Sequence, residues 1–147
     1  MDRGAAVLLT AVVGGLIALQ APINSRLGHS VGTFQSAFVG FAVSTVALAV
    51  LVGLARGGFG RIAEVRGVPW EYLTGGLLGA AYVTAVLVTV RALGAGGVTA
   101  ATIAGQLAMS VVVDHYGWLG VERDPVNAAK VLGLLLVAAG TFLVVRG

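Results

Sequence analysis

Long stretches without a charged side chain are the feature that most limits what this chain can fold into. No Asp, Glu, Lys or Arg occurs between Arg3 and Arg26, Arg26 and Arg56, Glu71 and Arg91, or Arg91 and Asp114. A helix needs roughly 20 apolar residues to cross a membrane, and these four stretches are long enough. A fifth, over about 127–145, holds one charge, Lys130, near its start, where a lysine can reach the headgroups. We therefore predict an all-α, polytopic membrane protein with five transmembrane helices.

Composition supports this class and excludes several others. Apolar residues make up 58% of the chain and charged residues 10%, against roughly a quarter charged in a soluble domain. The basic residues stand singly at predicted helix ends, which is typical of membrane anchoring and not of a nucleic-acid-binding patch. There is no cysteine, the two histidines have no metal-ligand spacing, and no catalytic motif occurs. We predict no enzymatic activity, catalytic residue, metal, cofactor or nucleic-acid partner.

Turn-forming residues divide the chain into one transmembrane domain over 1–147. The predicted spans are about 4–24, 33–54, 70–91, 98–113 and 127–145. The polar segment after the second span predicts the longest loop, with a short amphipathic turn, and Gly94, Gly96 and Gly97 are expected to break the chain before the fourth span. A second polar connection is expected over 114–125.

The distribution of basic residues gives an orientation. Six lie on the side of the N-terminus and three on the other side: Arg3, Arg56, Arg61, Arg66, Arg123 and Lys130 against Arg26, Arg91 and Arg146. This favours an N-terminus in the cytoplasm of a bacterial inner (plasma) membrane. The bias is modest, so dual topology stays open.

Small residues recur at helix-packing spacing. The second helix carries Gly40 in a stripe of small residues spaced by four, Gly32, Ser36, Gly40 and Ser44. The third carries Gly75 and Gly79, and the fifth carries Gly133. Close approach through small residues favours helix association in lipid. We expect these glycines at close crossings within one chain, at a dimer seam, or where helices slide during transport.

Two predicted helices carry polar side chains on one face. In the fourth, Thr102, Gln106 and Ser110 share a face with Thr99, and in the first, Gln20 and Asn24 are four residues apart around Pro22. Polar groups within a span need hydrogen-bond partners or a wet cavity, so these residues are candidates for substrate binding or a pathway. The alternatives are hydrogen bonds between helices, bonds to the helix's own backbone, and a first helix that simply ends at Asn24. We expect Gln106 and Asn24 to face the same interior cavity.

Asp114 and His115 directly follow the fourth predicted helix. A carboxylate close to a span can carry a proton, and imidazole changes charge near neutral pH, so both are candidates for proton coupling. Tyr116 and Trp118 favour the alternative, in which an interfacial aromatic belt places Asp114 among the headgroups in a structural role.

Several of these motifs together resemble a known family. In chain order they are Gln20-Ala-Pro-Ile-Asn24, Leu27-Gly28, Pro69-Trp70, Gly75-Gly76-Leu-Leu-Gly79-Ala-Ala-Tyr82-Val83, Leu93-Gly94, Gly105-Gln106 and Asp114-His115-Tyr-Gly117. The chain resembles, over its whole length, the YdcZ-like family, the short five-helix branch of the drug/metabolite transporter superfamily. The most specific part of the resemblance is Gly105-Gln106 followed eight residues later by Asp114-His115. Glu71 departs from the family pattern, in which a second aromatic residue often follows Trp70.

The resemblance implies a transporter-like architecture. Longer members of the superfamily look like two five-helix halves of opposite orientation, and inverted repeats of this kind place a site at the midplane. We therefore expect half of a ten-helix inverted-repeat architecture. The predicted function is secondary transport of a small metabolite or cation by a homodimer, with antiparallel pairing favoured over parallel. The alternative is a non-transporting membrane partner that stabilises or regulates another membrane protein.

Overall fold

The computed structural model describes residues 2–55 and 57–147, without the side chain of Arg3. Arg56, which contributes to the predicted orientation, lies outside the described residues, as does the Arg3 side chain. The described residues contain no strand, and their α-helices are α1 (Arg3–Val31), α2 (Thr33–Leu54), α3 (Gly75–Tyr116) and α4 (Ala128–Arg146). Short 3-10 helices occupy Gly60–Gly67, Trp70–Thr74 and Trp118–Gly120. The prediction of an all-α chain is confirmed.

Four helical segments of the described chain are long and apolar enough to cross a membrane. The third runs over Trp70–Tyr116. As one straight helix, the 42 residues of α3 would extend roughly 63 Å, about twice the 30 Å thickness of the hydrocarbon layer. Helix α3 is interrupted at Gly94, whose φ of 67° and ψ of 171° are not helical. Glycine adopts this backbone conformation readily because it has no Cβ. The interruption divides α3 into 75–93 and 95–116.

The helix ends differ from the predicted ones in several places. The predicted fourth span ends at 113, whereas α3 continues through Asp114 and His115 to Tyr116. Helix α1 continues past Asn24 to Val31 with Pro22 inside it, so the predicted exit after Pro22 is absent from this part of the structure. Of the three glycines expected to break the chain, Gly94 is the one at which the backbone leaves helical geometry. The helix resumes directly after it and includes Gly96 and Gly97. The segment after α2 forms the 3-10 helix Gly60–Gly67, in agreement with the predicted short turn.

The chain forms two compact units. The central unit is Leu19–Arg91, and the terminal unit joins Met1–Ala18 to Ala92–Gly147. Large apolar side chains are mostly exposed in both; Phe38, for example, is 75% exposed. Lipid accepts such side chains, so the small buried interior agrees with a membrane-embedded chain.

Within the central unit, α1 packs on α2 through small residues. Ser36 is completely buried, and a Cβ built on Gly28 would lie 3.6 Å from the Ser36 Cβ. The Ser36 hydroxyl donates a 2.6 Å hydrogen bond to the backbone carbonyl of Asn24. Leu87 of α3 is the largest fully buried side chain of the described residues. Close approach of small residues and hydrogen bonds between helices both stabilise helix association in lipid.

Within the terminal unit, α4 packs antiparallel to the second half of α3. A Cβ built on Gly97 would lie 3.6 Å from Val145, and the Thr141 hydroxyl donates to the carbonyl of Ala100 at 3.0 Å. The Asn127 side chain caps α4 by accepting the backbone N–H of Lys130 at 2.9 Å. This cap satisfies one of the otherwise unpaired donors at the start of a helix.

The predicted packing glycines divide into two groups. A Cβ built on Gly40 would lie 3.5 Å from the Asn24 carboxamide, and one on Gly79 would lie 3.8 Å from Phe41. A Cβ on Gly75 or Gly133 would meet no atom of the described residues within 4 Å. Gly40 therefore lies beside a side chain of α1 and Gly79 beside a side chain of α2, and the role of both at close helix crossings stays a prediction. Gly75 has no such contact within the described chain, and a role for Gly75 and Gly133 at a dimer seam stays a prediction.

Candidate functional site

A small cavity lies in the central unit beside the contact between α1 and α2. Its volume is about 20 Å³, room for about one water molecule. Two carboxamides, one hydroxyl, one aromatic ring and small or aliphatic groups line it: Gln20, Asn24, Ala37, Gly40, Phe41, Ser44 and Val83. The lining therefore combines hydrogen-bonding groups with apolar walls and contains no charged side chain.

The first wall comes from α1. Gln20 and Asn24 lie one turn apart, as their four-residue spacing predicts, and both line the cavity. Pro22 has no N–H, so the carbonyl one turn back, at Ala18, loses its helical donor. The helix nevertheless continues to Val31. Proline is tolerated in membrane helices where neighbouring helices, polar side chains or water satisfy the freed backbone group.

The second wall comes from α2. The Asn24 side chain lies beside Gly40, where a Cβ would be in van der Waals contact with the amide nitrogen at 3.5 Å. One turn further, the Ser44 hydroxyl donates to the carbonyl of Gly40 at 2.9 Å, so its oxygen is still able to accept a hydrogen bond. Ser44 was predicted as part of a packing stripe, and its place in the cavity was missed because the register between two helices is not visible in a sequence.

The amide side chains in the cavity have unused hydrogen-bonding capacity. Neither the Gln20 nor the Asn24 side chain makes a hydrogen bond to another described residue; Gln20 is exposed and Asn24 is half-buried. Each carboxamide offers donors and acceptors. Within a span such groups are costly without partners, so water, a bound molecule or another protein surface must satisfy them.

The predicted polar face of the fourth span lies in the terminal unit. Thr102 is half-buried, and Gln106 and Ser110 are exposed. Every residue that lines the cavity belongs to the central unit. The expectation that Gln106 shares a cavity with Asn24 therefore stays a prediction.

The end of α3 fixes the connection to α4. The His115 Nδ1 accepts the backbone N–H of Val126 at 3.1 Å, and the His115 carbonyl accepts from Arg123 Nε at 3.1 Å. The carbonyl of Asp114 accepts the N–H of Asp124 at 2.9 Å. These bonds use the backbone of Asp114 and the backbone and ring of His115 to hold the connection, and the choice between proton coupling and a structural role for the Asp114 carboxylate stays a prediction.

The Asp114 carboxylate lines an open depression together with Glu122, Arg123 and Asp124. Asp124 is paired with Lys130 at 2.8 Å, and no described cation lies within ion-pair distance of Asp114. The described residues contain no group of three His, Cys, Asp or Glu side chains that could hold a metal ion.

Comparison with known proteins identifies a family. The family model "Putative inner membrane exporter, YdcZ" matches residues 5–143 of the chain. No curated protein and no solved structure matches the chain. The match covers nearly the whole chain, including the residues that line the cavity, and the resemblance to this family is confirmed.

Proposed function

The chain belongs to the YdcZ family of inner-membrane exporters, and from this membership we propose that it is a small secondary transporter. It exports a small polar metabolite, and the pathway passes the cavity lined by Gln20 and Asn24. Membership supports an integral protein of the inner membrane with a transport role. The cargo and the pathway are our proposal.

The observation that carries the pathway is the pair of unpartnered amides in the central unit. Gln20, Asn24 and the hydroxyl of Ser44 meet in one cavity that already has room for about one water. In a purely structural membrane helix, polar side chains of this kind are paired with each other or with backbone. A transporter instead needs such groups to exchange water for substrate.

We propose that the chain crosses the membrane five times. Gly94 supports this, because the non-helical residue divides α3 into 75–93 and 95–116. Each part is close to the roughly 20 residues that one crossing requires. Five crossings place the two termini on opposite sides, so the chain corresponds to one half of a ten-helix inverted-repeat transporter.

The proposed working unit is a homodimer, with antiparallel pairing favoured over parallel. The cavity is too small for a metabolite, and Gln20 and Ser44 are exposed, so a second copy would supply the missing wall. Antiparallel pairing would reproduce inverted halves. The N-terminus in the cytoplasm is the favoured orientation of a single copy, with dual topology required for the antiparallel dimer.

The polar residues of the terminal unit have two proposed roles. Thr102, Gln106 and Ser110 are proposed to bind substrate or line a pathway, since polar side chains in a span need water or substrate as partners. Asp114 and His115 are proposed for proton coupling; the backbone carbonyl of Asp114 and the ring Nδ1 of His115 also accept bonds that fix the connection to α4.

Export is tested by comparing the metabolites in the medium of cells that express wild type, Asn24→Leu or Thr45→Val. Thr45 is the control because it is adjacent to Ser44 and exposed, donates within its own helix at 2.8 Å, and does not line the cavity. We expect at least one small polar metabolite to accumulate outside cells with wild type and Thr45→Val, and not with Asn24→Leu. Equal profiles for all three would favour the alternative of a non-transporting membrane partner.

A further inference from the structure

The guanidinium of Arg91 lies against the face of α1 that carries the amides. A Cβ built on Gly28 would lie 3.7 Å from Arg91 Nη2. Gln20, Asn24 and Gly28 follow one another at four-residue steps and therefore share one face of α1. At 1.5 Å per residue, Gly28 lies about 6 Å beyond Asn24 along the helix. Arg91 thus contacts α1 about one turn from the cavity.

No described side chain neutralises Arg91. The ion pairs of the described residues join Arg61 to Glu64 and Lys130 to Asp124. Within the central unit the acidic residues are Glu64 and Glu71, and both lie in the exposed segment between α2 and α3. A guanidinium has planar, paired N–H donors that match the two oxygens of a carboxylate or phosphate. Arg91 is therefore able to bind an oxyanion from outside the described chain.

The charges near the cavity decide which substrate class fits it. The lining is uncharged, and the charge in contact with the same face of α1 is positive. A cation bound there would have no counter-charge in the lining and would be repelled by Arg91, whereas an anion would gain a charge-assisted hydrogen bond.

We infer that the cargo is a small anion whose oxyanion pairs with Arg91 while a polar group, such as an amide or hydroxyl, occupies the cavity about one helix turn away. This assigns a class to the cargo of the proposed transporter and rests on that proposal. It makes Arg91 a specificity-determining residue and excludes cations. The phosphate of a lipid headgroup has the same oxyanion chemistry, so the experiment must separate a soluble anion from a lipid.

The test compares two probes that differ in charge and share a carboxamide. Succinamate carries a carboxylate and an amide, and succinamide carries two amides. Binding is measured by calorimetry with the full chain in phosphatidylcholine nanodiscs. We expect succinamate to bind at least about tenfold more tightly than succinamide, a difference of about 1.4 kcal/mol. Arg91→Gln should remove the difference. Arg26→Gln should retain it, because Arg26 is two residues from Gly28 and projects from the opposite side of α1.

Four results would overturn the inference in distinguishable ways. Equal binding of both probes, abolished by Asn24→Leu, would leave the cavity as a site and remove the preference for anions. A preference that persists in Arg91→Gln would exclude Arg91 as the partner. Loss of succinamate binding when phosphatidylglycerol is added to the discs would assign Arg91 to a lipid headgroup. Binding of neither probe would contradict both the inference and the use of this cavity for transport.

Discussion

The hydroxyl of Ser36 donates a 2.6 Å hydrogen bond to the backbone carbonyl of Asn24, and through this bond α2 holds the α1 backbone beside the cavity. Ser36 is fully buried, so any larger side chain must push the two helices apart. The same contact positions the Asn24 carboxamide over Gly40. Helix packing and the candidate site therefore depend on one close contact.

Ser36→Leu should destabilise the central unit. Overpacking typically costs about 1–3 kcal/mol, and the hydrogen bond to Asn24 is lost as well. Thr45→Leu is the control, since Thr45 is exposed on the same helix and donates within it; its effect should stay within about 0.5 kcal/mol. Reversible unfolding in detergent measures both. Equal losses of unfolding free energy in Ser36→Leu and Thr45→Leu would show that the Ser36 contact does not hold α1 to α2.

Substitution of the predicted packing glycines by leucine should lower the free energy of unfolding by different amounts. Gly40→Leu should lower the free energy of unfolding by about 1–3 kcal/mol, because the new side chain meets Asn24. Gly75→Leu should have little effect on an isolated chain, since a Cβ there meets no described atom within 4 Å. If Gly75→Leu proves at least as damaging in a monomer, the central packing has been misidentified. If it instead weakens a dimer, Gly75 lies at the seam.

His115→Phe should loosen the connection between α3 and α4. The substitution keeps an aromatic ring and removes the acceptor of the Val126 N–H. Loss of a bond of about 1 kcal/mol should speed hydrogen exchange at Val126 roughly fivefold. Tyr116→Phe is the adjacent control, because the Tyr116 hydroxyl makes no hydrogen bond to a described residue. Unchanged exchange in His115→Phe would remove the structural role of the imidazole.

The orientation of the chain in the membrane decides between a parallel and an antiparallel homodimer. A reporter fused after Gly147 should report both sides of the membrane if the chain inserts in both directions. Adding charge at the C-terminal end of α1, with His29→Lys and Ser30→Lys, should then shift the proportion of chains in each orientation. A reporter that stays on one side and ignores the added charges would exclude antiparallel pairing of identical chains.

Much of the fold could be predicted from the lengths of the stretches between charged residues. The charge-free stretch between Arg26 and Arg56 contains all of α2, whose predicted and observed limits coincide at 33 and 54. The end of α1 was not predictable, because Pro22 is equally typical of a helix exit and of a membrane helix that continues. Gly94, Gly96 and Gly97 all permit a break. Which one adopts positive φ depends on packing and cannot be seen in the sequence.

The candidate site was predictable in part. The four-residue spacing of Gln20 and Asn24 predicted a shared face, and both line the cavity. The contributions of Ser44 and Phe41 depend on how α2 is placed against α1. The contact of Arg91 with Gly28 likewise joins residues far apart in the sequence. Such contacts between helices require the structure, because helical periodicity gives the face of each residue and not its neighbour on another helix.

The central claim is that a transport pathway passes the cavity lined by Gln20 and Asn24. Access of water to the α2 residues that line this cavity tests the claim most directly. The chain contains no cysteine, so Ser44→Cys and Thr45→Cys can each be labelled without background. Ser44 lines the cavity and Thr45 does not. With a water-soluble thiol reagent that cannot cross the membrane, we expect Ser44→Cys to react at least about tenfold faster than Thr45→Cys, because a thiol must be ionised to react and ionisation requires water. Equal rates, or protection of both positions, would contradict a transport pathway at this cavity.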